Sequence, residues 1–583
     1  MTLKPPFVLI DDAQTPGGAT VFTQPVDIII CRSPGEITET FDRIEAALAG
    51  GHFVAGYMAY ELGLALEDKL APLLAKDLDT PLIWMGVFDK PHPLDAETFN
   101  TWAEDDYAVN NLHHLLSRED YIDQIERIRD HIRAGDVYQI NHTFKQRFDF
   151  SGSPLALFAH LRKTQRAKYG ALIATGEDHI LSLSPELFFE SDGRSVRTRP
   201  MKGTAPRLAN PERDAQQVTW LKTDEKSRAE NLMIVDLLRN DLGRISLVGS
   251  VHVTDLFDVE TFPTVHQMTS SIEAKPKPGT TFRHITQALF PCGSVTGAPK
   301  VKAMELISGL EPDQRGVYTG GVGYSGPGGT HRYNVAIRTL HIRNDTGEIG
   351  IGGGIVYDSD PASEWEECHI KARFLTGQHE PFDLLETLKW DPQTGFVLLD
   401  HHMARMKASA KSFGYPFDED AVRQGLDEAL NGLKRDQRVR LLLNANGSAQ
   451  VETEDLTDIT SLTFELASTR IDRSSPFVYH KTTNRDFYDK PRAASKCDEV
   501  VFLNDAGELT EGSFTNLFVE IDGQLVTPPV QSGVLAGTLR QELLETGQCT
   551  EMVLFIKDLE RANQIFLGNS VRGLVVAEFK NGA

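Results

Sequence analysis

Apolar positions along this chain follow two rhythms. Between Ser117 and Gly135 they recur at helical spacing: Tyr121, Ile125, Ile128 and Ile132 form one stripe, with Ser117 placed to cap the start and Gly135 to stop the end. The segment around Glu230 has the same rhythm in Leu232, Val235 and Leu238 and predicts a second helix. Short apolar runs such as Ile349 to Val356 and Val439 to Leu443 read as strands. No apolar stretch approaches the roughly 20 residues needed to cross a membrane. The mixture predicts an α+β chain, and 583 residues suffice for two large domains. A change of texture at Thr376-Gly377-Gln378-His379-Glu380-Pro381 divides them into 1–377 and 381–583.

Charge narrows the partners. Lys and Arg number 59 against 83 Asp and Glu, a formal net charge of −24, which disfavours nucleic-acid and anionic-membrane surfaces. The cysteines at 31, 292, 368, 497 and 549 form no CxxC pair and suit a reducing compartment without structural disulfides or zinc. The apolar run before Asp11-Asp12 is too short for a signal peptide. A cytoplasmic protein is expected.

Candidate chemistry begins at Lys202, in Arg199-Pro200-Met201-Lys202-Gly203-Thr204. A neutral lysine is a good nucleophile, but an ordinary one is neutral only about once in a few thousand molecules at pH 7. Burial raises that fraction. Glu364 and Glu367 are three apart and share a face if helical. If they converge with Glu230, three carboxylates need a cation between them, and all-oxygen ligands suit Mg²⁺. Arg338 offers a bidentate fork for an anion. The glycines at Gly352, Gly353 and Gly354 let backbone N–H groups approach one closely.

These residues stand in an ordered series. It runs through Ser184-Pro185-Glu186-Leu187, Arg228-Ala229-Glu230-Asn231 and Pro291-Cys292-Gly293-Ser294-Val295-Thr296-Gly297, then Tyr318-Thr319-Gly320-Gly321-Val322-Gly323-Tyr324. It closes with Ala336-Ile337-Arg338-Thr339 and Asp360-Pro361-Ala362-Ser363-Glu364-Trp365-Glu366-Glu367. The series resembles the chorismate-utilising enzymes, most of all their aminodeoxychorismate synthases, from about residue 50 to 376. The resemblance implies two packed antiparallel sheets wrapped by helices. It also implies chorismate as substrate, Mg²⁺ on Glu230, Glu364 and Glu367, and a pocket lined by Thr296, Tyr324, Arg338, Gly352, Gly353, Gly354 and Lys371. Lys202 is then the nucleophile that attacks C2 as the 4-hydroxyl leaves, before ammonia adds at C4 and expels it. Glu186 falls at the general acid/base position. His266 matches a histidine near the ring, with a core histidine as the alternative.

Two positions separate the relatives. Anthranilate synthases carry alanine where this chain has Lys202. Isochorismate and salicylate synthases carry a water-activating lysine where it has Gln139, whose amide cannot deprotonate water. No Gly-x-Cys-x-Gly elbow occurs, so ammonia must come free or from a separate glutamine amidotransferase subunit.

The second domain carries His401-His402-Met403-Ala404-Arg405, His480-Lys481-Thr482-Thr483-Asn484-Arg485, Leu509-Thr510-Glu511-Gly512-Ser513-Phe514-Thr515-Asn516 and Gly533-Val534-Leu535-Ala536-Gly537-Thr538. Their order resembles the class IV pyridoxal-phosphate enzymes, specifically the aminodeoxychorismate lyases, with a smaller and a larger lobe. The resemblance implies pyridoxal phosphate held by Lys481, with Glu511 at the pyridinium nitrogen. Arg405, Gly537 and Thr538 at a helix start, and Asn569 and Ser570, would hold the phosphate. Related lyases have an Arg-Gly pair after the strand that here ends at Leu443. This chain has Asn444-Ala445-Asn446-Gly447. The expected activity is amination of chorismate followed by pyruvate elimination to 4-aminobenzoate. The alternatives are a synthase whose second domain is a transaminase or a scaffold, and an anthranilate synthase.

Overall fold

Long alternating strands dominate the first of two units in this computed structural model, which describes residues 3–15, 17–208, 211–262, 265–376, 382–473 and 475–580. Residues 1–205 and 220–378 form one unit; residues 206–219 and 379–583 form the other. The first unit contains two ten-stranded sheets whose paired strands run antiparallel. Their inner faces meet in an apolar layer: Val8, Phe22 and Ile173 from one sheet pack with Ala55, Tyr57, Trp84 and Val322 from the other. The expected α+β architecture of packed antiparallel sheets is what the chain adopts.

Helices cover the outer faces. Arg118–Arg133 is the helix read from the stripe, with the Ser117 hydroxyl accepting from the Asp120 N–H and Gly135 at φ 81° just past its end. Its Tyr121, Ile125 and Ile128 are fully buried beside Trp365 and Cys368 of the helix Pro361–Thr376. The helix Glu225–Ile245 is capped by Asp224, and its buried stripe is Ile234, Val235, Leu238 and Leu242. Leu232 is 44% exposed, contrary to the apolar stripe read for it. Three residues from Val235 it shares an approximate side, but the buried stripe runs through Asn231 instead. Each fully buried aliphatic side chain here contributes about 1.5–3 kcal/mol relative to exposure.

The second unit has two lobes. A four-stranded antiparallel sheet carries the helices Leu399–Phe413 and Glu419–Leu430 on a shared core of Leu388, Met406, Leu426 and Val439. An eight-stranded mixed sheet makes the larger lobe, with Ser461–Ile471 parallel to both neighbours. The stretch 206–219 belongs to this unit although it lies between Lys202 and Glu230 in sequence. Arg207 pairs with Asp214 at 2.9 Å and donates to the backbone oxygen and hydroxyl of Ser412. The boundary read at 377–381 lies outside the described residues. Among the described residues no helix is long and apolar enough to cross a membrane.

Candidate active sites

Lys202 sits on the strand Met201–Pro206, beside the strand Val265–Ala274 that carries His266. The following Gly203 has φ 89°, and a Cβ there would come within 2.9 Å of Ser227 on the Glu225–Ile245 helix. Only glycine allows that approach. Asn231 donates to the Lys202 carbonyl and Gln267 to that of Gly203, so the backbone is held from two sides. The amine reaches the end of the strand Thr346–Ile355: a Cβ on Gly354 would lie 3.2 Å from Lys202 Nζ and collide with the Gln139 amide. Among the described residues no hydrogen bond or ion pair engages this amine. Burial lowers its pKa, while Glu230 and Glu186 pull it upward.

Glu186 is 3% exposed, and among the described residues its Oε1 has no hydrogen-bond partner. Burial pushes its pKa up to about 7, against the opposing pull of Ser294 and Lys202. Glu230 comes from the Glu225–Ile245 helix, Glu364 and Glu367 from Pro361–Thr376. Ser359 donates to Glu364 at 2.7 Å, and Lys371 pairs with Glu367 at 2.7 Å while donating to the Gly352 carbonyl. A Cβ on Gly353 would lie 3.4 Å from Glu364 and 3.6 Å from Lys371. Burial raises the pKa of Glu230 and of Glu364, and the Glu367 charge adds to both; Lys371 holds Glu367 below the usual range. Lys226, absent from the sequence reading, faces all three glutamates. Their oxygens do not all lie within 4.8 Å of one another. The donor set suits a hard cation in kind, with lysine amines among the carboxylates that such an ion would draw together.

Arg338 has φ 48° and, among the described residues, no side-chain hydrogen bond or ion pair. Burial alone lowers its pKa to about 10. A desolvated guanidinium without a counter-ion is an anion site in waiting. His266 is 1% exposed, with Nδ1 3.0 Å from the Thr261 hydroxyl. Thr296 is fully buried, and its hydroxyl points into its own turn, within reach of the Cys292 and Gly293 carbonyls.

Tyr324 is not brought to this cluster. On the strand Gly321–Gly326 it alternates with Val322 toward the layer between the sheets, its ring 5.5 Å from Phe22. Tyr318 takes the nearer place, its ring packed where a Cβ on Gly350 would be. Gly350 shares its strand and alternation with Gly352 and Gly354.

In the second unit Lys481 follows the turn Pro476–Val478, and its carbonyl accepts from Leu385 at 2.9 Å. Among the described residues no hydrogen bond or ion pair occupies its amine. Burial, then the nearby Arg405 and Arg485, lower its pKa to about 7 despite Glu386 and Glu511. Glu511 is buried and accepts from Tyr488 at 2.5 Å, Asn516 at 3.0 Å and the Leu535 N–H at 3.1 Å. Burial pushes its pKa up to about 7, against those bonds. Gly537 caps the helix Thr538–Glu545, and a Cβ there would overlap the Asn516 amide oxygen.

Arg405 forks onto Glu386 at 2.8 and 2.6 Å. Glu386 also holds His402, whose other nitrogen meets both Ser570 and Thr538. Asn569 instead closes the turn into Gly573–Phe579, accepting from the Val571 and Arg572 N–H groups and donating to the Phe514 carbonyl. A lysine amine with no hydrogen bond or ion pair among the described residues, a buried acid, and the Thr538 helix start beside the Ser570 hydroxyl fit the reactive carbon, ring nitrogen and phosphate of pyridoxal phosphate. Glu386, His402, Tyr488 and Asn516 carried no role in the sequence reading.

Comparison with known proteins agrees with this division. Residues 9–377 match the chorismate binding enzyme family, and residues 383–578 the class IV amino-transferases. Aminodeoxychorismate synthase component 1 of Escherichia coli (strain K12) is 36% identical over 346 residues, covering 56% of this chain and 76% of the relative. Its counterpart in Salmonella typhimurium is 40% identical over 337 residues, covering 54% and 74%. The crystal structure of anthranilate synthase component I from Streptococcus pneumoniae superposes at TM-score 0.53, with 25% identity over 64% of this chain and 93% of that one. The chain belongs to the chorismate binding enzymes and carries a class IV amino-transferase domain after them.

Proposed function

We propose that this enzyme aminates chorismate to 4-amino-4-deoxychorismate and then eliminates pyruvate from it to yield 4-aminobenzoate. The observation that carries the reading is Lys202: a half-buried lysine whose amine makes no hydrogen bond or ion pair among the described residues, resting against Gly354 beside an acid with a pKa of about 7. The Lys202 amine attacks C2 of chorismate, and protonated Glu186 gives its proton to the departing 4-hydroxyl, which leaves as water. Ammonia then bonds to C4, and the C2–N bond to Lys202 breaks. Arg338 and the glycine run bind one substrate carboxylate; Glu230, Glu364 and Glu367 would hold Mg²⁺ for the other. Ammonia comes from a separate amidotransferase subunit or from solution.

In the second unit Lys481 binds the cofactor and moves the proton from C4 of the aminated ring. Pyridoxal phosphate, when bound, supplies the electron sink for breaking that C–H bond. Loss of pyruvate leaves an aromatic ring. The missing Arg-Gly pair is replaced by a closed turn in which Asn444 accepts from the Asn446 and Ser448 N–H groups. Arg485, packed on Tyr488 and close enough to Lys481 to depress its pKa, supplies the alternative cation for a substrate carboxylate. The test is incubation of the chain with chorismate, NH₄⁺ and Mg²⁺, with and without pyridoxal phosphate, followed by chromatography. The reading expects aminodeoxychorismate without the cofactor and 4-aminobenzoate with it; anthranilate, or no product, overturns it.

A further inference from the structure

His402 is fully buried, and its hydrogen bonds do not balance for a site that must bind a phosphate. Its Nδ1 lies 2.6 Å from Glu386, a carboxylate that Arg405 also grips, so Nδ1 carries a proton and donates it. In a neutral ring Nε2 is then an acceptor with one lone pair. Two hydroxyls meet it, Ser570 Oγ at 2.9 Å and Thr538 Oγ1 at 3.2 Å. A hydroxyl has a single proton. Whichever hydroxyl gives that proton to Nε2 can present only lone pairs to a phosphate, which above a pH of about 6 is a dianion and needs donors. Both hydroxyls can face the phosphate as donors without leaving a buried Nε2 unpaired only if Nε2 carries a proton and donates to them instead.

We propose that His402, held by Glu386, is a positioning residue for the cofactor phosphate that takes up a proton as the phosphate binds, freeing Ser570 and Thr538 to donate to it. The proton comes from solvent and ends on Nε2; no covalent bond changes. The charged groups facing the ring are Glu386, Arg405 and Lys481. Before the phosphate arrives, burial keeps His402 below its usual pKa against the pull of Glu386. The entering dianion adds the negative charge that reverses the balance. The inference rests on the pyridoxal-phosphate reading of this unit.

The test is calorimetric titration of the full chain with pyridoxine 5′-phosphate, which has no aldehyde to react with Lys481. Runs at pH 8 in two buffers of different ionisation enthalpy count the protons taken up. Wild type should take up about one proton more per ligand than His402→Gln, whose amide can donate to the same hydroxyls without ionising. Between pH 7 and 9 its Kd should rise about tenfold more per pH unit than that of the variant. Glu386→Gln leaves the imidazole without its carboxylate; it must also lose the proton and serves if the His402 variant does not fold. Equal proton counts in wild type and variants overturn the inference while leaving the cofactor reading intact. A wild type that binds no pyridoxine 5′-phosphate overturns both.

Discussion

Lys202 and Lys481 are both half-buried lysines whose amines make no hydrogen bond or ion pair among the described residues, yet the strongest charge beside each is opposite in sign. Around Lys481 the largest influence after burial is a cation, Arg405, with Arg485 adding to it against Glu386 and Glu511, and the pKa falls to about 7. Around Lys202 burial works against carboxylates, with Glu230 and Glu186 the strongest influences favouring the charged amine, Lys371 opposing them and Glu367 adding to them. A lysine whose strongest neighbour is a cation is about half neutral at pH 7 and ready for an aldehyde cofactor that stays bound. A lysine among carboxylates sits in a pocket that accepts positive charge, as a substrate arriving with a metal ion requires. Burial lowers the pKa of the amine in both units, and the strongest neighbouring charge decides what else must enter.

The largest expected effect breaks one site and spares the other. Lys202→Ala should lower aminodeoxychorismate formation by about three orders of magnitude or more, remove any covalent adduct in intact-mass analysis, and leave the absorbance of bound pyridoxal phosphate unchanged. Lys481→Ala should do the reverse, losing that absorbance while aminodeoxychorismate accumulates. If either change silences both activities in a folded chain, the sites are not independent and the comparison fails.

Next come the carboxylates. Replacing Glu230, Glu364 or Glu367 by Gln removes charge with little change of shape. Each should raise the Mg²⁺ concentration for half-maximal amination by about tenfold. Glu511→Gln in the other unit should leave that Mg²⁺ curve untouched. Unchanged Mg²⁺ curves in all three variants would show that these glutamates serve Lys202 and Lys371 alone.

The pH dependence separates the lysines further. Only a neutral amine attacks the cofactor aldehyde. The stopped-flow rate of pyridoxal phosphate capture by Lys481 should therefore climb about tenfold per pH unit below its pKa of about 7 and level off above it. Glu186 must be protonated to give up its proton. Amination should therefore lose rate as pH rises above about 7, a limb that Glu186→Gln abolishes along with most of the activity. A capture rate still climbing at pH 9 would place Lys481 among ordinary lysines.

The residues that meet around Lys202 are distant in sequence, and the order of the motifs, not local spacing, linked Glu186, Glu230 and Gly354 to it. The residues that escaped depend on pairing between distant segments. Glu386 lies inside the apolar strand Leu384–Asp391, and its partners His402 and Arg405 come from the next helix. No local pattern links them. Residues 206–219 join the second unit through Arg207 and Ser412, which are 205 apart in sequence. Leu232 was misread because a three-residue step from Val235 lands near the helix stripe without lying on it.

Tyr318 and Tyr324 pose the finest distinction, and the smallest expected effect. Both flank the glycines at 320, 321 and 323, so sequence offers no reason to prefer one. Strand alternation does. Tyr324 turns with Val322 into the layer between the sheets, against Phe22, where its hydroxyl cannot meet a ligand held by Arg338 and the glycine run. Tyr318 covers Gly350, on the strand whose Gly354 meets the Lys202 amine, so a ligand lying along that strand meets its ring. Tyr318→Phe removes one hydrogen bond to such a ligand and should raise KM for chorismate by about three- to tenfold, the ordinary worth of one such bond, with kcat little changed. Tyr324→Phe should leave KM within about twofold. The reverse order would mean that chorismate binds between the sheets, and the site built around Lys202 and Arg338 would then have to be redrawn.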